Sequence, residues 1–530
     1  MDKNGDNSTN NYSKVLIIGA GMAGLSAANH LVKNGFKDFK ILEARNRIGG
    51  RIVNIDIAMA NGLIDIVHTP RPHKVVAATE DGKQVPFPVL QEIYEAYICF
   101  LKRCEEYFLC QYLPPSGINS VGDHIKLEVN LYLDRIADIG DRHLRQLIFD
   151  CLLKRETCIT GCDSMSEIDL LELGSYTELQ GGNIVLPAGY SAILAPVSKH
   201  IAQDCIFRKH PVSVIRWCYN SSSSTETTSD PGGNESDDSD RTVTEEVPTL
   251  TEDEHQHQQR RESSCDSDYR RPSCNVEVVC DNGTRFYADH VICTVPLGVL
   301  KEKATTMFSP ALPDDKLEAI ERLLFGTVDK IYLEYDRPFL NADVSEVMLL
   351  WECELPSVST STCDMSQSWY KKIYSFSKVS ETLLLGWISG KEAEYLETLP
   401  SDVIADKCTE LLRKFLNDPF IPKPKKCICT SWASQPYTRG SYTAMAVGAC
   451  QLDIENLAQP LFSNPHQLKP VLLFAGEHTH SNFYSTVHGA YLTGRSAAQM
   501  LLVPDTPKEI VMECNDTSDL SSWIQGISLE

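Results

Sequence analysis

The pattern of apolar and polar positions alternates between short apolar runs and longer amphipathic ones. "KVLIIGA", residues 14–20, is a continuous apolar run of the kind shown by a strand buried on both faces, and a helix is expected behind it from about Met22 to Asn34. "FKILEA", 39–44, gives a second strand. Further helices are expected from about Pro88 to Leu109, near 127–155 and near 402–416, and strands at 326–336, "GTVDKIYLEYD", and 383–389, "LLLGWIS". Strands alternating with helices predict an α/β chain.

One stretch breaks this pattern. Residues 220–274 are mostly Ser, Thr, Asp and Glu, with almost no large apolar side chain. Such a segment cannot bury enough surface to offset its ordering entropy, so disorder is expected. Between Ser221 and Arg271 it holds 14 acidic and 5 basic residues, a net of −9 out of −23 for the whole chain. The runs on either side, "HPVSVIRWCY" and "CNVEVVCDNGTRFYADHVICTV", look like strands, which makes the insert an elongated hairpin loop. The next turn is signalled by Asp281-Asn282-Gly283.

At 530 residues the chain exceeds what one core usually organises, so two domains or a large composite are expected, with room for a buried cofactor. The charge of −23 argues against a nucleic-acid partner and fits a cationic ligand. Nineteen cysteines are scattered, and the close pairs Cys158/Cys162 and Cys427/Cys429 lack a second pair at ligand spacing, so no metal site is read. Neither end reads as a targeting peptide or a bilayer span. A cytoplasmic protein with no membrane partner is expected, with a nuclear fraction left open.

The chemistry begins in "VLIIGAGMAGLSAANHL", where Gly19-x-Gly21-x-x-Gly24 lies between a predicted strand and a predicted helix. The first glycine permits the tight turn, the second lets backbone reach a pyrophosphate, and the third lets helix pack on strand. The helix N-terminus then faces the phosphates. Glu43 closes the second strand nineteen residues after Gly24, where an acid hydrogen-bonds a ribose hydroxyl. Together these residues predict dinucleotide binding.

"ILEARNRIGGR" then resembles the continuation found in the flavin-containing amine oxidase family. The match recurs in "HVICTVPLGVLK", 290–301, and in "LLFAGEHTHSNFYSTVHGAYLTGRSAAQML", 472–501. The resemblance implies noncovalent FAD, held by Glu43, Arg45, Gly49, Gly50, Arg51, Val212, Glu477, Thr486 and Val487 in addition to the three motif glycines. "LFGTVDKIYLEYDRPF" resembles the strand whose lysine, here Lys330, holds a water against the reactive nitrogen of the flavin. "TSWASQPYTRGSYTAMAVG", 430–448, resembles the segment that brings aromatic residues to the flavin, which makes Trp432 and Tyr442 walls of the amine site. Glu172, Ser175 and Glu178, in "LELGSYTELQGG", are candidates for holding distant ammonium groups.

The particular likeness is to polyamine oxidases of the spermine oxidase type. Monoamine oxidases tether their flavin through a cysteine where this chain has Ser441. The histone demethylase branch has an extra N-terminal domain and a helical projection that find no match. The implied fold is a Rossmann-like FAD-binding domain, 13–75, 183–315 and 465–502, with a discontinuous α+β substrate-binding domain, 76–182 and 316–464. Polar tails are expected at 1–12 and 503–530, and the acidic insert lies within the FAD domain. The implied reaction passes a hydride from a polyamine to the flavin, with molecular oxygen as the final acceptor.

The chain departs from the family after Arg51. Members follow Gly-Gly-Arg with a strand hairpin and a segment of the form Glu-Leu-Gly-Ala-x-Trp-Ile-His-Gly. Here "IVNID" runs directly into "IAMANGLIDIVHTPRPHKVV", and both features are missing. Loss of backbone beside the flavin would admit water to the site. The alternative expectation is therefore a catalytically impaired isoform that keeps the fold as a binding or regulatory protein.

Overall fold

The computed structural model describes residues 11–53, 74–179, 189–218, 274–352, 364–464 and 467–503. The acidic insert and most of the stretch after Arg51 therefore lie outside the described residues.

The apolar run after Asn11 forms the strand Tyr12–Ile18, which sits inside an eight-stranded sheet. It pairs in parallel with Phe39–Glu43 on one side, Ile17 opposite Ile41, and with Arg285–Cys293 on the other, Ile17 opposite Ile292. Parallel pairing buries both faces, which explains why Val15, Leu16 and Ile17 are at most 1% exposed and why the run shows no alternation. Ile206–Arg208 extends one edge, while Leu472–Phe474 and Val276–Cys280 share the far side of Arg285–Cys293. Val212–Arg216 pairs antiparallel with Val276–Cys280, so the strands flanking the acidic insert are direct neighbours.

The helix Met22–Lys33 packs between this sheet and the helix Val487–Leu502. The two helices approach so closely that a Cβ added to Gly494 would lie 2.0 Å from the Ala23 carbonyl oxygen. The N-termini of both therefore reach the same end of the sheet.

A second, six-stranded sheet runs in the order Lys426–Cys429, Val328–Glu334, Leu383–Ser389, Ser375–Ser380, Val344–Leu350, Lys74–Thr79. Helices Phe87–Phe108, Val121–Leu133 and Ile139–Thr160 cover one face through a core that includes Tyr97, Phe149 and Leu350. Ser401–Phe415 packs on the other. The family's two-sheet α/β plan is thus present.

Two boundaries differ from the sequence reading. The single helix expected near 127–155 is two, because Asp138 caps a new helix by accepting a hydrogen bond from the Asp141 amide at 2.7 Å. The strand expected at 326–336 is also two, Leu324–Gly326 and Val328–Glu334. The first pairs with Tyr442–Ala444 and the second with Leu383–Ser389, so the chain changes partner at Thr327.

Candidate active site

The glycine-rich turn is held by its own backbone. A Cβ on Gly24 would fall 1.9 Å from the Gly19 carbonyl oxygen, so only glycine lets the helix start against the strand. The second glycine pair docks onto this turn: Gly49 donates its amide to the Ala20 carbonyl at 2.8 Å, and Gly50, with φ +58°, lies against Gly21. Glu43 fixes the same turn, accepting from the amides of Ala20 and Arg45, each at 2.8 Å. The arrangement leaves a surface of main-chain groups at the start of a helix, which is suited to a diphosphate.

A cavity of about 480 Å³ opens on this surface. Gly19, Gly21, Glu43, Arg45, Gly49, Gly50 and Arg51 line one part of it, with Val212 at the outer end. Arg45 lies over the Tyr437 ring at 5.4 Å, and its Nη2 is buried without a hydrogen-bond partner. Arg51 crosses toward the other chain segments, donating to the Ser441 carbonyl at 2.6 Å and to Glu477 Oε1 at 3.1 Å. Glu477 also accepts from Thr443 Oγ1 at 3.1 Å and from the Ser485 amide at 2.8 Å. Thr486 caps the second helix by accepting from the Gly489 amide at 3.0 Å, and Thr486 and Val487 face the cavity.

At its other end the cavity is walled by side chains. Lys330, Trp387, Trp432 and Tyr442 all line it. Lys330 stands opposite Trp387 across two antiparallel strands, and its Nζ lies 4.5 Å from the Trp387 ring centroid. Burial pushes the Lys330 ammonium below its ordinary pKa. Tyr442 donates its hydroxyl to the Cys158 carbonyl at 2.5 Å, so the ring and not the oxygen is what it offers a ligand. Ser441 bonds the Val328 backbone twice, donating to its carbonyl at 3.0 Å and accepting from its amide at 2.9 Å.

The structure thus brings every proposed cofactor residue except Gly24, which acts behind the turn, to one cavity, together with Lys330, Trp432 and Tyr442. It does not bring Glu172, Ser175 and Glu178 there. Ser175 donates to the Glu172 carbonyl at 2.6 Å and meets the Tyr484 hydroxyl at 3.3 Å, while Glu178 is exposed. That short helix supports the 480–484 loop from outside, through the Thr177 amide donating to the Asn482 carbonyl at 2.9 Å. Trp387 and Tyr437 were missed in the sequence. Trp387 could have been found by pairing the two strands that carry Lys330 and "LLLGWIS".

The residues present fit a flavin dinucleotide. One helix N-terminus and a glycine turn suit the phosphates, a second helix N-terminus opens on the same cavity, the unpartnered Arg45 Nη2 awaits an acceptor, and an aromatic end suits a ring. Fold and site together define a dinucleotide-dependent oxidoreductase.

Comparison with known proteins makes this more specific. The profile "Flavin containing amine oxidoreductase" matches residues 264–502, and "NAD(P)-binding Rossmann-like domain" matches 17–83. The chain is 29% identical to the human peroxisomal N(1)-acetyl-spermine/spermidine oxidase, over 92% of this chain and 94% of that protein. It is 34% identical to a possible lysine-specific histone demethylase 1 of Drosophila melanogaster, over 47% of this chain and 29% of that protein. A solved putrescine oxidase double mutant superposes with a TM-score of 0.57 at 15% identity, covering 93% of this chain and 99% of that one, and shares the fold. Residues 264–502 match the flavin-containing amine oxidoreductase family, and the chain is an FAD-dependent oxidoreductase. Among the described residues no helix is long and apolar enough to cross a membrane.

Proposed function

We propose that the chain oxidises spermine or an N-acetylated polyamine at a secondary amine to an imine, with noncovalent FAD and molecular oxygen, and that water hydrolyses the imine. The products are an aldehyde, a shorter amine and hydrogen peroxide. The observation that carries this reading is a half-buried lysine and two tryptophans at one end of a cavity whose other end is a dinucleotide cradle. FAD, when bound there, supplies the acceptor for the hydride leaving the carbon beside nitrogen. Trp387, Trp432 and Tyr442 form an aromatic wall, and an apolar lining favours the neutral amine that can release that hydride. Lys330, whose hold on its proton is weakened by burial, takes up and returns a proton at Nζ. The charge of −23 draws a polycation toward the protein. Glu172, Ser175 and Glu178 stay outside this assignment because they lie off the cavity wall.

The human relative's name supports acetylated polyamines as substrates. A second reading, a fold kept for binding without turnover, is favoured by one observation, the absence of the Trp-Ile-His-Gly segment after Arg51. Incubation of purified protein with spermine or N1-acetylspermine, with peroxide and amine products quantified, separates the two. Peroxide and aldehyde in equal amounts support the oxidase; flavin-loaded protein that yields neither supports the second reading.

A further inference from the structure

Behind the cavity wall lies a pair of acids that the amine chemistry does not use. Asp329 precedes Lys330 on Val328–Glu334, so its side chain leaves the opposite face of the strand, and it is 0% exposed. Its Oδ1 accepts from the Thr430 hydroxyl at 2.7 Å. The Thr430 oxygen in turn accepts from the Lys330 amide at 2.9 Å, and the Thr430 amide donates to the Lys330 carbonyl at 3.0 Å. Asp329 Oδ2 is buried without a hydrogen-bond partner, and the Trp432 backbone amide also faces this carboxyl. What stands beside Asp329 is another acid, Glu397, at the end of the helix Gly390–Leu396. Glu397 accepts from the Ala433 amide at 2.8 Å and the Ser434 amide at 2.7 Å, directly after Trp432.

A buried carboxylate beside a half-buried one is held more cheaply with a proton, and an unsatisfied buried oxygen is costly. A proton on Oδ2 removes both costs at once, since it turns an acceptor without a donor into a donor for Glu397. We propose that Asp329 is a positioning residue: its protonated carboxyl donates to Glu397 and so clips the segment carrying Trp432 to the strand carrying Lys330, fixing two parts of the amine site. This inference rests on the amine oxidase reading for its meaning, but the clip itself is a property of the protein alone.

Burial, followed by the neighbouring acid Glu397, raises the Asp329 carboxyl to about 8. The groups that face the pair are the Trp432 backbone amide, the Thr430 hydroxyl, the Cys429 thiol on the adjacent strand, and Glu394 one turn earlier on the same helix as Glu397. None of these is a cation. An acid whose pKa is raised by folding adds stability that is full below its unfolded value and is lost as pH rises through the folded value. The clip should therefore hold at neutral pH and release through pH 8.

Asp329→Asn and Asp329→Ala in the full chain test this. The asparagine amide can donate to Glu397 without titrating, while alanine leaves Glu397 without that donor. Infrared difference spectra between wild type and Asp329→Asn at neutral pH should show one protonated-carboxyl stretch, lost from wild type as pH rises through 8. Hydrogen exchange at Ala433 and Ser434 should accelerate ~10-fold in Asp329→Ala and stay within about threefold of wild type in Asp329→Asn. In turnover, alanine should raise KM more than it lowers kcat, and asparagine should remove the alkaline limb of the KM profile. No carboxyl stretch that Asp329→Asn removes, or equal exchange in wild type and Asp329→Ala, overturns the proposal. Neither the spectra nor the exchange needs turnover, so a failure of the oxidase reading would show separately, as protein with the clip intact and no peroxide.

Discussion

The nucleotide end of the cavity is made of main chain. Gly24 sits where no Cβ fits, Gly49 bonds Ala20, and Glu43 spends both oxygens on backbone amides. The amine end is made of side chains from strands distant in sequence, with Lys330 against Trp387 and Trp432 held by the 430–441 segment. The contrast teaches where tolerance should lie. A backbone site fails as a whole when one atom is added, whereas a side-chain site loses one function at a time.

Substitutions can break that contrast, and the largest effect is expected at Gly24. The Cβ of Gly24→Val would fall 1.9 Å from the Gly19 oxygen, and the forced separation of helix and strand should cost about 4 kcal/mol or more. Denaturant unfolding and flavin content should fall together; a protein of normal stability and normal flavin content would refute the steric account. Lys330→Met should slow amine oxidation by ~10²–10⁴-fold while leaving flavin content unchanged. An unaltered rate would remove the role assigned to the lysine. Glu477→Gln removes the carboxylate charge paired with the Arg51 guanidinium and should weaken flavin binding ~10-fold, read as a dissociation constant by titration. The smallest effect is expected at Tyr442→Phe, which removes one bond to the Cys158 carbonyl and should cost about 1 kcal/mol in thermal unfolding. A larger loss of rate than of stability there would mean that the hydroxyl, and not only the ring, serves the amine.

The same contrast explains what the sequence could reveal. Main-chain sites write their constraints locally, because each glycine is required by its immediate neighbours, so Gly19 to Gly24 were legible from their spacing, while Gly49-Gly50 were legible through the resemblance of the segment that carries them. Lys330 was legible through the resemblance of its strand, with Val328, Ile331 and Leu333 marking that strand as buried. Its partner Trp387 depends on strand register, which one strand alone does not encode. The acids Glu172 and Glu178 looked like ammonium ligands, yet nothing local says which side of the 480–484 loop they occupy. The break between Val121–Leu133 and Ile139–Thr160 was hidden because Asp138 is compatible with a helix surface and becomes a cap only when its side chain turns to the Asp141 amide. The consequence of the missing Trp-Ile-His-Gly segment falls on residues outside those described, so it rests on chemistry in solution.

That chemistry is read most directly from the visible absorption spectrum of the purified protein, before and after spermine or an acetylated polyamine is added without oxygen. Flavin bands that bleach on addition of the amine are the predicted result, and they would mean that the cradle and the aromatic end work as one site. Folded protein with no flavin bands, even after FAD is supplied, would contradict the account at its centre.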